Sequence, residues 1–135
     1  MYQNILLPIA PGDKVDGHPA FIAARALLAE GGTITVLTVL EVTPGFVEQY
    51  LPEGQAQTLY AQEAKRLTDE VSKIDGATAL VKNGHPARTI LEESTRLKID
   101  CIVMSSHRPG PSDFFIGSTA SRVVRRAQCS VHVVR

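Results

Sequence analysis

The residues best suited to chemistry lie in one stretch, Ser105-Ser-His-Arg-Pro-Gly-Pro-Ser112, followed after four intervening residues by Gly117-Ser118-Thr119-Ala120. The stretch leaves an apolar run at Cys101–Met104, passes through turn formers and enters a segment with helical periodicity. A helix that starts at Gly-Ser-Thr presents free backbone N–H groups, two hydroxyls and the positive end of its dipole, a combination suited to phosphate. His107 and Arg108 add donors for phosphate oxygens. A plainer reading of the same residues is also open: Ser118 or Thr119 caps the last helix. Charge polarity favours an anion near this end. Residues 105–135 hold five arginines and one aspartate, a balance of +4, and residues 1–104 carry −4. The chain as a whole is neutral, so it lacks the basic excess of a general nucleic-acid binder.

Other chemistries find less support. No Gly-x-x-x-x-Gly-Lys-Ser/Thr phosphate loop and no Gly-x-Ser-x-Gly nucleophile turn occurs. The histidines, His18, His85, His107 and His132, have no i, i+4 pairing, and no metal site is expected from them. His18 and His85 each precede a proline and mark helix starts, His132 falls in the last strand, and only His107 lies beside the proposed ligand. Cys101 and Cys129 match no metal spacing and read as reduced core thiols of a cytoplasmic protein. The Arg122, Arg125, Arg126 cluster reads as the solvated face of the last helix, and Gly31-Gly32 as a helix stop. The N-terminus has no basic region or small-residue cleavage site, and no apolar run approaches the ~18–20 residues of a membrane span.

The elements that must position these residues follow from the apolar pattern. Five short runs, Asn4–Ile9, Thr33–Leu40, Thr78–Val81, Cys101–Met104 and Ser130–Val134, are mostly continuous and rich in β-branched residues, as in strands covered on both faces. Between them lie helical stripes: Ala20, Ala24, Leu27 and Leu28; Tyr60, Ala64, Leu67, Val71 and Ile74; Ala87, Ile90, Leu91 and Ser94; and Ala120, Val123, Val124 and Ala127. Strict β-α alternation predicts right-handed crossovers and a parallel sheet with helices on both faces. With 135 residues, 44% of them apolar, and no composition break, the chain is expected to be one domain spanning 1–135. The irregular segment from Glu41 to about Gln55 is long enough to be functional, and its Phe46, Tyr50 and Leu51 can close over a ligand or partner. In such a sheet ligands bind beyond the carboxyl ends of the strands, which places Pro8–Gly12, Val39–Glu41 and the Ser105–Ala120 stretch around one crevice.

Over essentially its whole length the chain resembles the universal stress protein family. The resemblance is carried by Asn4-Ile-Leu-Leu-Pro-Ile9, by Val81-Lys-Asn-Gly84-His-Pro86 with Ile90, by Asp100-Cys-Ile-Val-Met-Ser-Ser-His107, and by Gly117 through Val134. It implies a five-stranded, doubly wound, Rossmann-like sheet of the adenine nucleotide α-hydrolase-like type, with strand order 3-2-1-4-5. It also implies a stress-response protein binding ATP or AMP. Carried over by position, adenine would lie against Pro8, Ile9, Ala10 and the main chain of Val39. Ribose and phosphates would run along Met104, Ser105, His107 and Arg108 to Gly117, Ser118, Thr119 and Ala120. Nucleotide-binding members carry Gly-x-x-Gly, nine residues, then Gly-Ser or Gly-Thr. Here Ser105 and Arg108 stand at the first two glycines and only eight residues follow before Gly117, as in a short-loop branch of the family. Ala10 replaces an aspartate that many members place near ribose and Mg²⁺, and Arg108 is expected to make up part of that lost charge. The alternatives are a nucleotide-free dimeric adaptor with an unidentified protein partner, and a slow ATPase. Against the latter, Asp113 is the sole acidic residue from 105 to 135. The last strand, Ser130–Val134, would form a sheet edge, and pairing of this edge in a homodimer or higher oligomer would cover it.

Overall fold

The computed structural model describes residues 1–41, 54–106 and 117–135. The order is β1 (Tyr2–Ile9), α1 (Pro19–Leu27), β2 (Leu28–Leu40), α2 (Gln55–Val71), β3 (Ala77–Asn83), α3 (Pro86–Arg96), β4 (Cys101–Ser105), α4 (Ser118–Arg126) and β5 (Ser130–Val134). The strands form one parallel sheet in the order β3-β2-β1-β4-β5. The segment holding Phe46, Tyr50 and Leu51 lies outside the described residues.

Strand alternation divides the core between two faces. Ile5, Leu7 and Ile9 of β1, Ile34 and Val36 of β2, and Cys101 and Val103 of β4 pack with Ala20, Phe21 and Ala24 of α1 and Leu67 and Val71 of α2. Leu6, Leu37, Val39, Ile102 and Met104 point the other way and pack with Ala87 and Ile90 of α3 and Ala120 and Val123 of α4. Because β1 and β4 are central and covered on both sides, every residue from Cys101 to Met104 is buried, and the continuous apolar pattern follows from that placement.

The helix starts obey the sequence cues. Pro19 and Pro86 occupy first turns, preceded by His18 and His85 as N-caps. Of the predicted stripes, Leu28 leaves α1 to begin β2, Ile74 lies beyond the end of α2, and Val124 is exposed. The Gly31-Gly32 pair corrects its reading as a helix stop. Helix α1 ends at Leu27, and the glycines sit inside β2, where the register jumps from Tyr2↔Leu28 to Asn4↔Thr33. A Cβ on Gly32 would lie 2.9 Å from the Gln3 carbonyl oxygen, so the close approach of β1 demands glycine there.

Side chains lock the start of β1. Asp100 accepts hydrogen bonds from the Gln3 and Asn4 N–H groups at 2.9 and 3.0 Å. The Asn4 amide donates to the carbonyls of Leu97 and Lys98, holding the turn in which Lys98 adopts φ 55°. The thiols are both free. Cys101 is buried, and its pKa is pushed up to about 11 chiefly by that burial, which keeps it protonated and inert.

Candidate functional site

A cleft of about 830 Å³ opens at the carboxyl ends of β1, β2 and β4. It lies where β1 is flanked by β2 on one side and β4 on the other, the point at which strand order reverses. Its volume falls in the range of ~300–1,000 Å³ common for small-molecule sites. Pro8, Ile9 and Ala10 line it from the end of β1, Val39 from β2, Met104 and Ser105 from β4, and Gly117, Ser118, Thr119 and Ala120 from the start of α4. Ten of the twelve residues expected there from the sequence are thus brought together by three strand ends and one helix start. His107 and Arg108, with the proposed role of Arg108, lie outside the described residues.

The start of α4 corrects the capping reading of Ser118 and Thr119. Its N-cap is Gly117, with no side-chain cap, so Ser118 and Thr119 fall inside the helix and neither caps it. Ser106 holds the preceding chain ends together: its N–H donates to the Val134 carbonyl, and its carbonyl accepts from the Gly117 N–H, each at 2.9 Å. The first turn of α4 therefore faces the cleft with its dipole and hydroxyls and without a competing carboxylate or amide of its own.

Several lining residues were not expected. Asp13 and His18 come from the β1–α1 connection, Pro86 and Ile90 from α3. The Nδ1 of His18 accepts from the Ala20 N–H at 3.1 Å, so Nε2 bears the proton and faces the Asp13 carboxylate at 3.7 Å. His18 is a helix cap, as its Pro19 neighbour suggested, and also a wall of the site; no local signal in the sequence carries the second role.

That wall is anchored from α2. Glu63 accepts from the Gly12 N–H, and Glu70 from the Val15 and Asp16 N–H groups. Arg66 bridges the two carboxylates, at 2.6 Å to Glu63 and 3.1 Å to Glu70. The Arg66 hydrogen bond holds the Glu63 carboxyl below its usual pKa, against burial and with help from the Gly12 N–H.

A second, more polar cleft of about 580 Å³ adjoins the first. It runs between the β3–α3 turn and α4 and shares Glu41, Pro86, Ser118 and Thr119 with its neighbour. Gly84 shapes it: φ is 151°, and a Cβ would stand 2.7 Å from the Thr89 hydroxyl. Arg122, read from sequence as part of a solvated helix face, reaches into this cleft and lies 3.1 Å from His85 Nε2.

The family model described as the universal stress protein family matches residues 1–135. A universal stress protein of Thermus aquaticus, encoded in the QAH/OAS sulfhydrylase 3' region, is 30% identical over 140 residues, covering all of both chains. The structure of universal stress protein UspA from Lactobacillus plantarum superposes with a TM-score of 0.65 at 26% identity, over 99% of this chain and 98% of that one. The universal stress protein from Archaeoglobus fulgidus, solved in complex with dAMP, has a TM-score of 0.53 at 18% identity, over 99% and 98% of the respective chains.

Proposed function

This chain belongs to the universal stress protein family, and on that premise we propose that it is a regulatory protein that binds an adenine nucleotide, ATP or AMP, in the cleft between β1 and β4. The observation that carries the reading is the continuity of an apolar slot with an uncapped helix start. Pro8, Ile9, Val39 and Met104 provide flat, apolar surface for a purine, and the slot ends at Gly117, Ser118 and Thr119 on α4. A purine monophosphate has this same polarity, and the A. fulgidus relative is bound to one. In this reading Ala10 and the Val39 main chain flank the base, and Ser105 lies along the ribose. The phosphates meet the α4 N–H groups and hydroxyls, Ala120 packs beneath them, and His107 and Arg108 donate from the adjoining segment. Any Mg²⁺ is held by the phosphates of ATP, because Ala10 offers no side-chain ligand. The edge strand β5 pairs with its copy in a homodimer, for which a monomeric mass in light scattering is the counter-evidence.

The decisive experiment denatures the purified protein, separates the supernatant by anion exchange and follows adenine absorbance, with calorimetry of AMP and ATP on protein stripped of nucleotide. The expected result is a near-stoichiometric adenine nucleotide, or saturable heat with either ligand. Neither carried nucleotide nor heat overturns the reading and leaves an interaction module whose ligand is a protein.

A further inference from the structure

We propose that the second cleft is an oxyanion subsite, built from His85, Arg88 and Arg122, that takes the distal phosphates of a nucleotide whose adenosine end occupies the first. The proposal rests on the nucleotide reading above and adds to it the residues that distinguish a polyphosphate from a monophosphate.

The argument begins with proton placement on His85. This residue is the N-cap of α3, and its Nδ1 accepts from the Arg88 N–H at 3.5 Å. A ring nitrogen that accepts carries no proton, so the proton of the neutral ring sits on Nε2. Yet Nε2 lies 3.1 Å from Nη1 of Arg122, a group that can only donate. The direction of this contact depends on the ring tautomer: while Nδ1 accepts from Arg88, two donors face one another across the mouth of the cavity, with no acceptor between them among the described residues. The ring can satisfy Arg122 only by moving its proton to Nδ1, which gives up the helix cap. An oxygen bearing several lone pairs satisfies both donors and keeps the cap. Arg88 lines the same cleft, and among the described residues neither Arg88 nor Arg122 forms an ion pair. Their charges remain available to such an oxygen.

The source of the oxyanion follows from the surroundings. Glu41 and Glu92 also line the cleft and offset the two arginines. A free phosphate or pyrophosphate would thus bind there, but more weakly than a tethered one. A phosphate tethered to an adenosine already bound next door enters at high effective concentration and needs only the local hydrogen bonds. The two clefts join at Ser118 and Thr119, the residues assigned to the proximal phosphate.

The test compares AMP, ATP and inorganic pyrophosphate by calorimetry on the full chain, its Arg122→Ala form and its His85→Asn form. Asparagine keeps a good N-cap while removing Nε2. ATP is expected to bind wild type more tightly than AMP. Each substitution should weaken ATP by about tenfold, the weight of one hydrogen bond to a charged group, and leave AMP unchanged. Loss of ATP and AMP affinity in parallel, or no change in either, overturns the subsite. If wild type binds neither nucleotide, the nucleotide reading has failed by itself. Pyrophosphate then decides: binding that Arg122→Ala abolishes upholds an oxyanion site fed by a free phosphoryl ligand, and no pyrophosphate binding overturns it.

Discussion

Helices α3 and α4 begin side by side at the carboxyl edge of the sheet, and they begin differently. Helix α3 is closed at its start: His85 caps it, Pro86 removes one N–H from its first turn, and Gly84 makes the sharp approach from β3. Helix α4 is open, with Gly117 in the cap position and, among the described residues, no side chain bonded to its first N–H groups. The difference separates two uses of one electrostatic feature. The closed start spends its donors on its own chain and so stabilises the fold. The open start gives up a cap worth a few tenths of a kcal/mol over glycine, and in the proposed function its donors meet a phosphate.

Three substitutions break or sharpen this contrast. Gly84→Ala has the largest expected effect on the fold, because φ of 151° and a 2.7 Å approach to the Thr89 hydroxyl both oppose a side chain. A loss of about 2 kcal/mol in urea unfolding is expected, the scale of a residue forced into strained backbone. Gly117→Asp gives α4 the cap that α3 already has. Its backbone, at φ −59° and ψ 157°, accepts any residue. Stability should rise slightly while AMP affinity falls about tenfold, since the carboxylate takes the N–H groups and repels phosphate. A simultaneous fall in both would mean that the open start serves the fold and not a ligand.

The smallest effect concerns the wall held by α2. Glu63 has a lowered pKa in the folded protein, so its contribution to stability is present above its ordinary value of 4.5 and is lost as pH falls through the lower folded value. Glu63→Gln should therefore flatten the acid limb of stability against pH below about 4.5, with a modest loss at neutral pH. An unchanged acid limb would show that Gly12 and its neighbours stay in place without this carboxylate.

Much of this was legible in the residues themselves. The parallel sheet followed from continuous apolar runs, because a strand covered on both faces has no polar alternation to show. His18-Pro19 and His85-Pro86 marked helix starts through the fixed φ of proline. Ser118 and Thr119 stayed ambiguous: the sequence is compatible with a cap at any of three neighbouring positions, and only the backbone shows that Gly117 takes it. Gly31-Gly32 misled for a related reason. A glycine pair serves equally to end a helix or to let a neighbouring strand approach, and the approaching atom, the Gln3 carbonyl, is nearly thirty residues away.

The sequence by itself determined which residues reach the edge of the sheet, since alternation of strand and helix sends Pro8, Val39, Met104 and Gly117 to the same end. Only the tertiary structure decided which distant side chains meet there. Arg122 against His85, and Glu63 and Glu70 on the β1–α1 connection, are contacts between elements that share no periodicity. Hydrophobic pattern specifies which face of each element is buried, but the rotation and offset that set polar contacts arise only when the faces pack together.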